Sequence, residues 1–182
     1  MTINTEKEQA RIKALYLYNL LDTPPDGSFD KLTQLAAKFF NMPIVLITLV
    51  DKDRIWFKSK YGIKGITQIN RDPGLCASAI LSDEIYIVED ARNDPRTLAN
   101  PLVAGEFGLQ FYAAANLQNF EGYNLGTFCL LDKNKRYLNI DQQNTLQLFA
   151  DVVMESIEFR RIAHNTINEL KSKLEKFQSR IA

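Results

Sequence analysis

The sequence predicts an α/β sandwich of the α+β kind, built on a central antiparallel sheet of five or six strands. Three observations predict it. Two runs, Ile44–Val50 and Leu125–Leu131, carry no charged residue and so read as strands buried on both faces. Short connections with turn residues adjoin them, the form that links antiparallel neighbours. Around the strands, apolar residues recur at helical spacing.

With 182 residues, 46% of them apolar, the chain suits one domain with a sizeable core plus an extension. Its 22 basic and 22 acidic side chains give zero formal charge, so no global field draws it to nucleic acid or anionic lipid. No apolar run nears the roughly 20 residues of a membrane span. The opening MTINTEKEQARIKAL lacks the apolar core of a signal peptide. A cytoplasmic protein is expected, with neither nucleic acid nor membrane as partner. Two cysteines make no disulfide framework.

From Glu6 to Leu21, Ile12, Leu15, Tyr16, Leu20 and Leu21 recur at helical spacing, and Pro24-Pro25 forbids continuation. Asp26-Gly27-Ser28 offers an N-cap to a second helix with the stripe Phe29, Leu32, Leu35, Ala36 and Phe39, stopped by Asn41 and Pro43. It delivers the chain into Ile44–Val50, and Asp51-Lys52-Asp53 then turns it into Arg54–Tyr61. There Ile55, Phe57 and Tyr61 alternate with Arg54, Lys58 and Lys60, so this strand reads as half exposed. Trp56 falls on the charged side, which implies a cover over that part of the sheet. Gly62–Gly74 reads as turn, and Leu75–Leu81 as one or two helical turns.

Ile85–Glu89 is a short β-rich segment. Asp94-Pro95 starts a brief helix that Asn100-Pro101 stops. Phe111–Leu117 and Leu125–Leu131 are joined by a connection containing Gly122, as a hairpin requires. The charge-free second strand of that pair belongs beside Ile44–Val50.

From Ile140 onward there is neither proline nor glycine, and the pattern reads as one helix of about 40 residues. Its first half carries Leu146, Leu148, Phe149, Val152, Val153 and Ile157, a stripe wide enough to pack on a sheet. In its second half, Ala163, Ile167, Leu170, Leu174, Phe177 and Ile181 alternate spacings of four and three, the a/d pattern of a coiled-coil seam. Extended backward, that register meets Ser156 and Arg160. The chain thus divides into a globular unit over residues 1–160 and a helical extension over 161–182. The expected dimer interface is Ile167, Leu170, Leu174, Phe177 and Ile181, and the helix Glu6–Leu21 is a candidate to complete a four-helix bundle.

An ordered series of motifs spans roughly residues 10–160. It runs from Leu21-Asp22-Thr23-Pro24-Pro25 with Phe29-Asp30, through PIVLITLVD, RIWFKSKYG and Arg71-Asp72 before LCASAIL, to VEDARNDPR, NPLV, FYAAANL and LGTFCLLD. This series resembles the GAF domain family, in the subgroup common in bacterial sensor kinases and cyclic-dinucleotide signalling proteins. The resemblance implies a GAF-like sandwich, with helices on one face of the sheet and loops plus short helices on the other. It also implies a sensory or regulatory module rather than an enzyme. Members of this kind usually have Phe-Cys-Ala-His-Ala where this chain has Leu75-Cys76-Ala77-Ser78-Ala79, so any role of that histidine is absent. Gly-Ala-Pro-Leu is likewise replaced by Ala114-Ala115-Asn116-Leu117, and alanine does not take glycine's positive φ cheaply.

Cys76 is the first candidate for reactivity, but its sequence neighbourhood holds Arg71 and no histidine, so it reads as a small buried side chain. Cys129 lies inside a central strand. Bilin-binding members pair the anchoring cysteine with a following histidine, here Ala77, and haem needs an axial ligand. The single histidine, His164, sits far along the last helix, and one histidine with two separated cysteines makes no metal cluster. No cofactor, no metal and no catalytic residue are therefore expected.

An unidentified small molecule is the expected ligand, held on the loop-covered face. Its candidate contacts are Phe57, Arg71, Asp72, Cys76, Phe111, Tyr112, Thr127 and Cys129; Phe111, Ala113 and Ala115 share one strand face, where the alanines leave room. Arg71-Asp72 and Asp94-Arg96 read equally as ligand contacts or as ion pairs that staple loops. Two alternatives stand beside this reading. One is an enzyme like the family's reductases of free methionine sulfoxide, with Cys76 and Cys129 in reach of each other. The other is a ligand-free dimerisation module.

Overall fold

The computed structural model describes residues 5–181. Its strands are β1 (Ile44–Val50), β2 (Arg54–Tyr61), β3 (Gln68–Asn70), β4 (Tyr86–Val88), β5 (Phe111–Gln118) and β6 (Asn124–Asp132). They form one antiparallel sheet in the order β3-β2-β1-β6-β5-β4. β1 and β6, the two charge-free runs, are adjacent at its centre and buried throughout. Leu46 faces Cys129 and Thr48 faces Thr127 across that pair.

Three helices cover one face: α1 (Thr5–Leu17), α2 (Gly27–Phe39) and α5 (Ile140–Ile181). Phe29, Ala36, Val45, Ile47, Phe128, Leu146, Ala150 and Val153 interlock there. The opposite face carries α3 (Leu75–Ala79), α4 (Pro101–Ala104) and loops, over a second core that includes Leu46, Ile55, Phe57, Ala79, Val88, Tyr112 and Leu131. The sandwich is thus the expected one, with six strands.

Several local expectations are corrected. α1 stops at Leu17, not Leu21: Asn19 and Asp22 adopt left-handed backbone (φ 50° and 59°), which ends the helix before the prolines are reached. Leu20 and Leu21 pack against the helix-side core from this turn. In α2, Leu35 and Phe39 are exposed, and the buried face is Phe29, Thr33, Ala36 and Ala37. Thr33 faces the sheet because its hydroxyl meets that of Ser59 at 3.1 Å. In α5, Leu148 and Val152 are likewise exposed, and Leu146, Ala150, Val153, Met154 and Ile157 face the sheet.

β2 is not half exposed. Lys58 and Ser59 are buried, and the Lys58 ammonium donates to Thr23 Oγ1 (2.7 Å) and the Pro24 carbonyl (3.1 Å). The segment before α2 is the cover that Trp56 implied, and Trp56 is buried in the helix-side core. Gly62–Gly74 also contains the short edge strand β3. Asn100-Pro101 starts a helix instead of stopping one: the Asn100 side chain accepts from the Leu102 N–H, and proline occupies the first turn.

β6 ends on buried Asp132, whose carboxylate accepts from the Asn134 N–H (2.9 Å) and Arg136 Nε (2.7 Å). Burial pushes its pKa up, but these donors prevail and hold it below the ordinary carboxylate value. A depressed folded-state pKa gives stability that is fully present above the unfolded value of about 3.9 and lost as pH falls through the folded value. Asp132→Asn should therefore cost about 1–3 kcal/mol near neutrality. That deficit should shrink below about pH 4, which urea denaturation at both ends of the range checks.

Candidate functional site

The loop-side face of the sheet presents Leu46 from β1, Phe57 from β2, Tyr112 from β5, and Cys129 and Leu131 from β6. Over them lie Leu75 and Cys76 from α3, Ile63 and Ile66 from the β2–β3 loop, and Leu102 and Phe107 from α4 and the turn after it. Together they enclose a cavity of about 70 Å³. α3 reaches the sheet because Gly74 precedes it: a Cβ there would lie 2.2 Å from Ile55 Cδ1 and 2.7 Å from the Arg71 carbonyl oxygen.

The cavity's lining is apolar except for two thiols and one phenol. The Tyr112 hydroxyl donates to Cys76 Sγ at 3.2 Å, and Cys129 lines the same cavity. Beside it the Thr127 and Thr48 hydroxyls stand 2.8 Å apart across the β1–β6 pair. Both cysteines are free and buried. The Cys76 thiol is held below its ordinary pKa against burial, by its neighbour Cys129 first and then by Tyr112, Thr127 and Thr48. Burial pushes Cys129 and Tyr112 well up.

Of the expected contacts, Phe57, Cys76, Tyr112 and Cys129 line the cavity; Thr127 does not, and its hydroxyl meets that of Thr48 at 2.8 Å. Phe111 does not belong to the site. It points with Ala113 and Ala115 into the helix-side core, since strand alternation gives the loop side to Tyr112 and Ala114. Leu46, Leu75, Leu102 and Leu131, with the loop isoleucines and Phe107, were not among the expected contacts.

Arg71 and Asp72 lie outside the cavity, along an open cleft of about 740 Å³ that Lys52, Ser78, Arg96 and Asn100 also line. Arg71 is a staple between α1 and the sheet. Its Nη1 donates to Glu8 Oε1 (2.6 Å) and to the Asp51 carbonyl (3.0 Å), and its ion-pair partner is Glu8 rather than Asp72. Asp94 and Arg96 pair with each other at 2.5 Å, and Arg96 also donates to the Ile87 carbonyl. No group of three or more metal-ligating side chains occurs among the described residues.

The second half of α5 leaves the globular part as a lone helix. Ile167, Leu170, Leu174 and Phe177 are between 50% and 63% exposed on it, and His164 is exposed. The side chain of Ile181 lies outside the described residues. Among the described residues no helix is long and apolar enough to cross a membrane.

The GAF domain family model matches residues 24–157, and the chain belongs to that family. The cyclic di-GMP phosphodiesterase PA2567 of Pseudomonas aeruginosa is 36% identical over 165 residues, which make up 90% of this chain and 28% of that protein. Among solved structures, the free methionine-R-sulfoxide reductase of Neisseria meningitidis superimposes with a TM-score of 0.63 at 15% identity, over 90% of this chain and 96% of that one. The GAF domain of an Acinetobacter phosphoenolpyruvate-protein phosphotransferase gives 0.61 at 12% identity, over 91% and 99%. At these identities the two structures share the fold.

Proposed function

We propose that this chain is a regulatory GAF module: residues 1–160 form the sensory domain, and 161–182 belong to a dimeric helical stem that passes its state onward. The observation that carries the reading is the exposed four-three stripe Ile167, Leu170, Leu174 and Phe177, on a helix that has left its own core. Such a stripe gains roughly 1.5–3 kcal/mol per side chain when covered, and a second copy carries its complement. The matched relative, named as a phosphodiesterase, has the corresponding segment as 28% of a longer chain. A module of that kind suits a bacterial, cytoplasmic signalling protein.

The ligand, on this reading, is a small uncharged molecule in the cavity that Phe57, Cys76, Tyr112 and Cys129 line. Free methionine sulfoxide fits the site poorly, since a zwitterion needs charged or strongly polar partners and no charged side chain lines the cavity. The module is thus regulatory rather than catalytic. A ligand-free dimeriser shares the stem and differs only at the cavity.

Sedimentation velocity with native mass spectrometry of freshly purified protein tests both parts. A dimer at tens of micromolar, with a small neutral molecule retained, is expected. A monomer overturns the stem. Turnover of methionine sulfoxide with thioredoxin and NADPH that stops in Cys76→Ser overturns the non-catalytic reading.

A further inference from the structure

We infer that the cavity takes a compact neutral molecule carrying an oxygen acceptor, of the short ketone, ester or lactone class, and that Tyr112 is the residue that selects it. The inference rests on the regulatory reading for the ligand's place and adds the ligand's chemistry. Size is the first constraint. A water needs roughly 10–15 Å³ of such space, so a cavity of about 70 Å³ has room for about five to seven non-hydrogen atoms. A nucleotide or a tetrapyrrole is several times too large for these walls. Ile66, on the β2–β3 loop, lines the cavity and is also 45% exposed, so the roof is thin there and offers the way in. Charge is the second constraint. No charged side chain lines the cavity among the described residues, and an ion entering so apolar a space loses its hydration without replacement.

Hydrogen bonding is the third. Among the described residues that line the cavity, Tyr112 carries the one strong side-chain donor. The phenol is 1% exposed and packs edge-on against Tyr86, with ring centroids 6.1 Å apart, so its position is fixed. Its O–H donates to Cys76 Sγ at 3.2 Å, and a thiol sulfur is a weak acceptor. The donor was thus dehydrated on folding and is left with a poor partner. A ligand carbonyl oxygen that accepts this O–H in place of the sulfur gains a hydrogen bond without stripping water from the protein side. A hydrocarbon of the same shape makes the same contacts with Leu46, Phe57 and Leu131 but leaves the O–H on sulfur. An amide brings an N–H as well, for which the lining side chains offer only sulfur and the phenol oxygen. The walls therefore favour a neutral ligand that accepts and does not donate.

The test titrates the full chain with cyclopentanone, methylenecyclopentane and butyrate, three probes matched in size, and reads binding by saturation-transfer NMR and by the rise in urea midpoint. Cyclopentanone should bind about fivefold tighter than methylenecyclopentane, the two should compete, and butyrate should not bind. Tyr112→Phe keeps the ring and removes the donor, so it should bring the ketone down to the hydrocarbon's affinity and leave the hydrocarbon's within about twofold. Equal affinity for ketone and hydrocarbon in the unmutated protein overturns the proposal. So does a ketone preference that survives in Tyr112→Phe, butyrate binding as tightly as the ketone, or no binding of either neutral probe up to its solubility limit. A retained neutral ligand without an oxygen acceptor would overturn the ketone class and leave the regulatory reading standing. A monomer in sedimentation would overturn the stem and leave the probe series unaffected, so each reading can fail alone.

Discussion

Gly126→Ala is expected to cost the protein at least about 3 kcal/mol of folding stability. A Cβ at Gly126 would stand 1.9 Å from the Thr48 carbonyl oxygen, 2.8 Å from the Thr48 carbonyl carbon and 2.9 Å from Leu49 Cα. All three atoms are backbone of β1, so no side chain can swing aside. Admitting the methyl group requires β1 and β6 to separate where Gly126 pairs with Leu49 and Thr127 with Thr48. Overpacking a core typically costs 1–3 kcal/mol even where side chains yield; here about 3 kcal/mol is a lower bound. Against a total of about 5–15 kcal/mol, that loss is visible in any urea titration. Gly27→Ala is the control, because a Cβ there meets nothing within 4 Å. A Gly126→Ala midpoint equal to that of the control would mean that the central strands are not spaced as described.

How much of this was legible in the sequence depended on what surrounds each residue. β1 and β6 were legible because burial on both faces leaves no charge in the run, and that absence is itself a signal. On β5 the run Phe111–Ala115 has no polar alternation, so Phe111 and Tyr112 read alike as site contacts although only Tyr112 faces the loop side. Lys58 was misplaced because its cover comes from Thr23 and Pro24, loop residues with no periodicity. Asn100-Pro101 serves as well to open a helix as to close one, and only the Leu102 N–H bond decides. The cavity's roof, with Ile63, Ile66, Leu102 and Phe107, comes from isolated apolar residues on loops and short turns. That Cys76 and Cys129 line one cavity depends on how α3 docks across the sheet, which no local pattern encodes. The long helix was legible end to end because neither glycine nor proline interrupts it.

Replacing Leu170 and Leu174 together by glutamate should convert the dimer to monomer and leave the sensory domain folded. In a parallel two-fold pairing, each seam residue meets its own copy, so the double variant brings four carboxylates into one short stretch. Each loses an apolar contact worth roughly 1.5–3 kcal/mol, and like charges in a seam repel. A rise in the dissociation constant of at least about a hundredfold, equivalent to about 2.7 kcal/mol, is expected. The globular core should not notice, because Leu146, Ala150, Val153 and Ile157 make α5's contacts with the sheet well before Leu170. The urea midpoint measured on the core should stay within about 0.5 kcal/mol of the parent's. Parallel pairing sends both C-termini out together, and a ligand that favours one helix arrangement then biases whatever follows by a population shift. If the variant stays dimeric, the contact lies elsewhere on the helical face, where Leu35, Phe39, Leu148 and Val152 are also exposed. If the parent is already monomeric at tens of micromolar, the stem does not pair and signalling must leave the domain by another element.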